Sequence, residues 1–141
     1  MRKPKKLVFS FLLSLILILA TGSSVFAQVS TFGPFYVRPT SAGQFDGFTV
    51  DLDSGQTTFV LKDYKVYGVH SGQKASIRWT VTDVDTGVPV LSWVEGDVTV
   101  AKDIGVTNLS PGKVYSVSWV SLNSNSVVGG TYVSVYGYAY Q

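Results

Sequence analysis

Three features of the sequence predict an antiparallel β-sandwich of about seven to eight strands in one domain. Apolar and polar residues alternate at period two from Phe45 onward. Turn residues interrupt that alternation at short intervals, the spacing of a sandwich or barrel. No segment from 28 to 141 repeats its apolar residues at helical spacing.

The first 27 residues stand apart from this pattern. Arg2, Lys3, Lys5 and Lys6 form a basic start, and Leu7–Ala20 is an uncharged apolar run of 14 residues. Val25-Phe26-Ala27 is a small-x-small cleavage signature with Gln28 beyond it. This is the pattern of a secretory signal peptide. A membrane span needs about 20 apolar residues, so the run is too short to be one. The expectation is a secreted, extracellular protein that begins near Gln28.

Removal of residues 1–27 changes the charge. Arg38, Lys62, Lys65, Lys74, Arg78, Lys102 and Lys113 remain against nine carboxylates, a formal charge of −2. Nucleic-acid binding needs a clustered basic face, which this composition lacks. A polybasic membrane patch is absent for the same reason. The chain has no cysteine. Small secreted domains often depend on disulfides, so this one must rely on its core. A chain of this size buries roughly two thirds of its unfolded surface. Export without cysteine points to a bacterial source.

Residues 28–44 contain Gly33, Pro34 and Pro39 and read as an irregular lead-in, with a short edge strand at Phe35–Arg38. The sandwich is expected over 45–141. Phe45, Phe48, Val50 and Leu52 begin it. Residues 57–69 are apolar on both sides of Lys62-Asp63, which predicts a bulge or break there. In 74–82, Ala75, Ile77, Trp79 and Val81 point one way, and Lys74, Ser76, Arg78, Thr80 and Thr82 the other. Strands follow at Val88–Val94 and Val98–Ile104, split by a turn at Glu95-Gly96. Tyr115, Val117 and Trp119 share a face in 113–122, and 131–140 closes the chain. Asp51-Leu52-Asp53-Ser54-Gly55 and Asp83-Val84-Asp85-Thr86-Gly87 read as one hairpin chemistry used twice.

Leu109-Ser110-Pro111-Gly112-Lys113-Val114-Tyr115 resembles the fibronectin type III segment in which Leu-x-Pro-Gly precedes a tyrosine by three residues. The resemblance covers residues 109–117. It implies that Tyr115 forms a corner, its hydroxyl bonding back to the upstream backbone, with Leu109 as a core plug. It implies an immunoglobulin- or fibronectin-like sandwich and no chemistry of its own. A jelly roll is the alternative topology.

Catalytic and metal-binding sets are thin. His70 is the one histidine and sits beside Ser71-Gly72, a turn. A triad needs a histidine between a carboxylate and a nucleophile, and no Gly-x-Ser-x-Gly elbow is present. Asp51/Asp53, Asp83/Asp85 and Glu95/Asp97 are carboxylate pairs two residues apart, as acid/base work would use. All three lie at turns, where aspartate is the ordinary residue. The Asp-x-Asp turns could supply oxygen ligands to calcium, but the glycine comes fifth rather than sixth. One histidine and no cysteine leave zinc without ligands. No cofactor and no resident metal are expected, and no enzymatic activity.

The distinctive feature is aromatic. In 131–140, Val133, Val135, Gly137 and Ala139 alternate with Tyr132, Ser134, Tyr136, Tyr138 and Tyr140. If the valines pack inward, the tyrosines cover the outside. Rigid amphipathic rings suit sugar faces and hydroxyls at low entropy cost. Trp93 and Tyr67 would extend the strip if their strands lie alongside. The plainer reading is that tyrosine simply favours strands and cross-strand pairs. The first functional expectation is a non-catalytic binding module for extracellular glycan or protein. A membrane-active or antimicrobial β-protein is the alternative, since 113–136 alternates valine with serine and threonine as pore strands do. An extracellular matrix subunit that polymerises by strand addition is the third.

Overall fold

The computed structural model describes residues 26–38 and 45–138. Eight strands follow one another: β1 (Phe26–Val37), β2 (Phe45–Asp51), β3 (Gln56–Gly68), β4 (Ile77–Asp83), β5 (Pro89–Glu95), β6 (Val98–Val106), β7 (Val114–Ser121) and β8 (Val127–Tyr138). They form two four-stranded antiparallel sheets, ordered β1-β8-β3-β6 and β2-β7-β4-β5. The all-β sandwich and its strand number are as the alternation predicts.

The connectivity is that of the alternative topology. Immunoglobulin sheets follow the order A-B-E-D and C-F-G. Here consecutive strands change sheet at every connection except β4 to β5. That is the double Greek key of a jelly roll. The two Asp-rich turns therefore differ in role. The turn at Asp83–Gly87 makes a true hairpin, with the Gly87 amide on the Asp83 carbonyl at 2.8 Å. The turn at Asp53–Gly55 uses the same backbone chemistry, with the Gln56 amide on the Asp53 carbonyl at 3.1 Å, but carries the chain across to the other sheet.

The expected corner is present within this different topology. The Ser110 amide donates to the Tyr115 hydroxyl at 2.9 Å, and Leu109 is buried. The motif is thus a local device for leaving one sheet and starting a strand in the other. It does not specify which strand comes next.

Residues 28–44 are less irregular than expected. Strand β1 spans Phe26–Val37 and pairs with β8 along its length, so the sandwich begins before residue 45. Residues 39–44 and 1–25, including the basic start and apolar run, lie outside the described residues. Among the described residues no helix is long and apolar enough to cross a membrane.

The core lies between the sheets. Ile77, Trp79 and Val81 from β4 meet Phe59, Leu61, Tyr64 and Val66 from β3. The Trp79 indole is fully buried and donates to the Tyr64 hydroxyl at 2.9 Å. Its ring centroid lies 5.4 Å from Tyr64, 5.2 Å from Trp119 and 5.8 Å from Trp93. Each such ring contributes about 1.5–3 kcal/mol by burial, and more through edge or stacked contact. Val117, Val127, Val133 and Val135 also pack here. The valine alternation that suggested pore strands is accounted for by this core.

Candidate functional site

Strand β8 is central in its sheet, flanked by β1 and β3. Its Val127, Thr131, Val133 and Val135 are buried against the other sheet. Val128, Gly130, Tyr132, Ser134 and Tyr136 therefore lie on the opposite, outward side. The aliphatic side of this strand is the dry one, as the tyrosine argument required.

Both flanking strands carry a bulge at the same level. On β1, Phe32 pairs with Val133 and Phe35 with Thr131, so one extra residue is inserted at Gly33-Pro34. On β3, Lys62 pairs with Tyr132 and Lys65 with Gly130, so one extra residue is inserted at Asp63, whose φ is 52°. Side chains alternate strictly, so an extra residue flips every later one to the other face. Without the β3 bulge, Tyr64 would face out and Tyr67 in. With it, Tyr64 enters the core and Tyr67 faces solvent. The β1 bulge turns Tyr36 outward beside Gly130 and sends Val37 inward in the same way. The break expected at Lys62-Asp63 is thus what aims the flanking tyrosine.

The β3 bulge is held from both sides. The Asp103 carboxylate of β6 accepts from the Asp63 amide at 3.1 Å and forms an ion pair with Lys62. From β8, the Thr131 hydroxyl donates to the Lys62 carbonyl at 3.0 Å. The hydrogen bond to Asp103 raises the Lys62 pKa, and the same contact holds the Asp103 carboxyl below the ordinary carboxylate range.

The result is an open groove of about 310 Å³ over β8. Tyr36, Tyr67 and Tyr132 frame it, at 56%, 39% and 41% exposure. Pro34, Asp63 and Lys65 complete the rim, and Gly129-Gly130 forms the floor. Geometry requires the first of these glycines, while the second keeps the floor open. A Cβ at Gly129 would lie 2.0 Å from the Lys65 carbonyl oxygen. One at Gly130 would stand in the groove, 3.2 Å from the Phe35 carbonyl. A glycine inside a strand marks close approach of another backbone or of a ligand.

The tyrosine strip is therefore partly assembled and partly replaced. Tyr132 and Tyr67 share the groove. Tyr136 lies on the same outward side, half-buried beyond Ser134, whose hydroxyl is 2.9 Å from that of Thr31. Tyr138 ends β8, its backbone opposite Phe26, and Tyr140 lies outside the described residues. Trp93 does not extend the strip. It belongs to β5 in the other sheet, and its ring stacks on Trp79 at the core edge. Tyr36 was missed because its segment read as an irregular lead-in. The adjacent pair Gly129-Gly130, set within an apolar strand, was the signal for the floor.

The remaining candidates serve the fold. His70 is exposed in a turn closed by the Gln73 amide on its carbonyl at 3.0 Å. The Asp83 carboxylate accepts from the amides of Asp85 and Thr86 at 2.9 and 3.3 Å and from Lys113 at 2.7 Å. The Lys113 contact leads in holding Asp83 below the ordinary carboxylate range. The Lys113 ammonium thus neutralises this turn, lying 3.9 Å from the Asp85 carboxylate as well. Asp97 accepts from the Ala75 amide at 2.7 Å, and Glu95 pairs with Lys102 at 3.1 Å. Among the described residues no group of three or more His, Cys, Asp or Glu side chains is placed to hold a metal ion.

Fold and groove together define the class: an eight-stranded jelly-roll sandwich with an aromatic-rimmed hollow on one outer face. No family model and no curated protein matches the sequence. Among solved structures the chain is similar to one described as "CBM4 structure and function", with 13% identity over 84% of this chain and 83% of that one and a TM-score of 0.49.

Proposed function

We propose that this chain is a secreted, non-catalytic module that binds extracellular glycan in the Tyr36–Tyr67–Tyr132 groove. One observation carries the reading. Three exposed tyrosines surround a Gly129-Gly130 floor, with Val128 and Thr131 beside it, on the outer face of a sheet. Phenol rings offer flat apolar faces to sugar C–H groups, and their hydroxyls hydrogen-bond to sugar oxygens. The glycine floor lets a sugar ring approach the β8 backbone. Lys65 and Asp63 supply a donor and an acceptor at the rim. About 310 Å³ stands at the lower end of ligand sites, and the groove is open, which suits a chain segment rather than an enclosed small molecule. Export rests on the basic start and apolar run of residues 1–27.

The test is retention on insoluble polysaccharides. Wild type is expected to be retained on at least one of them, and Tyr36→Ala/Tyr132→Ala to flow through. Thr80→Ala/Ser118→Ala, on the opposite face, should behave as wild type. Wild-type protein that passes through every polysaccharide, or a double tyrosine variant that is retained equally, would sink the glycan reading.

A further inference from the structure

The outer face of the other sheet holds a second hollow, and we infer that it binds the carboxylate of a uronic-acid sugar through Arg78, Thr82 and Ser116. The hollow lies over β4 and β7 and measures about 320 Å³. These strands pair without a shift, so Arg78, Thr80 and Thr82 stand opposite Val120, Ser118 and Ser116. The short side chains of the last two rows leave the space open. Arg78 and Val120 bound it at one end.

Two of the four hydroxyls are engaged within the sheet. The Ser118 hydroxyl donates to the Thr80 carbonyl at 3.3 Å, and the Thr80 hydroxyl lies 3.5 Å from that of Ser92. The Thr82 and Ser116 hydroxyls, on directly opposed residues, have no partner among the described residues. Neither has the exposed Arg78 guanidinium. Lys62, Lys102 and Lys113, by contrast, each hold an acid. The cross-strand neighbours of Arg78 are Val94 on β5 and Val120 on β7. A carboxylate at either position would have paired with it. Valines instead support the apolar stem and leave the head free. The lining contains no acid. Asp51, on the same face by register, lies one row beyond Ser116, at the end away from Arg78. The hollow therefore carries one uncompensated positive charge.

The chemistry of the occupant follows. A guanidinium presents parallel N–H donors that match a planar carboxylate. A bare carboxylate fills little of the space. The remainder is floored by hydroxyls and bounded by Val120, so the group that bears the carboxylate needs hydroxyls and a C–H face of its own. A sugar acid has both. One exposed ion pair with hydroxyl contacts supports a dissociation constant of about 1 mM, too weak for retention on a column. The site is therefore read in solution, and it stands apart from the tyrosine groove on the other sheet.

A galacturonic acid trimer titrated into isotope-labelled protein should shift the backbone amide signals of residues 78–82 and 116–120 and leave those of 129–132 in place. The methyl-esterified trimer, which lacks the charge, should bind at least tenfold more weakly. Arg78→Gln should lose the same factor, and Thr82→Ala/Ser116→Ala a smaller one. Both variants should keep the wild-type urea midpoint, since none of these side chains has a partner to lose. Tyr36→Ala/Tyr132→Ala should bind the trimer as wild type does. The inference is overturned if the trimer leaves those amides unmoved, if its methyl ester binds equally well, or if Arg78→Gln binds as tightly as wild type. Sodium acetate that binds as tightly as the trimer overturns it too, because the sugar would then contribute nothing.

Discussion

The two outer faces carry hollows of nearly equal size, about 310 Å³ over β8 and about 320 Å³ over β7. Their linings differ. The β8 hollow is framed by tyrosines. The β7 hollow is lined by Arg78, Thr80, Thr82, Ser116 and Ser118, with Trp119 and Val120 and no tyrosine. The difference begins in strand register. Strands β2 and β4 pair with β7 without a single shift, so alternation runs unbroken and short hydroxyls stay outside. Those hydroxyls turn to the sheet itself: Ser118 donates to the Thr80 carbonyl at 3.3 Å and Ser92 to that of Trp79 at 2.9 Å. Over β8 both neighbours are bulged, and each bulge re-aims a tyrosine outward. Equal space on equal architecture does not make equal sites. What differs is which side chains the register delivers.

The largest expected effect removes the support common to both faces. Trp79→Ala deletes a fully buried indole stacked on Trp93 and tilted against Trp119 and should lower stability by about 3–5 kcal/mol in urea unfolding. Retention on glycan should fall with it as the fold loosens. The next effect separates the two glycines. Gly129→Ala drives a Cβ against the Lys65 carbonyl and should cost about 1–3 kcal/mol. Gly130→Ala should keep the urea midpoint close to wild type while reducing glycan retention, because its methyl group stands on the groove floor.

The third compares the faces directly. Tyr132→Ala should weaken glycan binding about tenfold, or ~1.4 kcal/mol, in titration calorimetry, whereas Ser118→Ala on the other face should leave the affinity unchanged. Equal losses on both faces would mean the site is misassigned.

The smallest effects concern the two ion pairs. Asp103 and Asp83 are each held below the ordinary carboxylate value of 3.8 by Lys62 and Lys113. Lowered carboxyl pKa values stabilise the fold in full above that ordinary value. The contribution is lost as pH falls through the lower folded values. Lys62→Met and Lys113→Met should each flatten the acid limb of melting temperature against pH. Since Lys62 pins the β3 bulge and Lys113 the β4–β5 turn, only Lys62→Met should also reduce glycan retention at neutral pH.

Much of this was legible locally. The alternation of Ile77, Trp79 and Val81 named the core strand, because period-two burial is a property of a short segment. The 109–115 corner named the Ser110–Tyr115 contact, which spans five residues. The apolar run broken at Lys62-Asp63 named the bulge. The partners of these strands were not legible. Turn chemistry at Asp53 and Asp83 is the same whether the chain doubles back within a sheet or crosses to the other. Trp93 therefore looked available to the tyrosine strip and instead lies in the opposite sheet. Tyr36 was hidden for a related reason: β1 is held by β8, about 100 residues away in sequence, and not by any neighbour in its own segment.

Period, turn chemistry and the split of β8 into an aliphatic and a tyrosine side were thus determined by the sequence alone, since each depends on residues a few positions apart; which of the two sides packs inward was not. The order of strands in each sheet, and the meeting of two bulges beside Gly130 that turns Tyr36 and Tyr67 outward together, were decided only by tertiary structure. The physical reason is that a bulge sets the facing of one strand, but a groove exists only where long-range pairing brings two such strands to either side of a third.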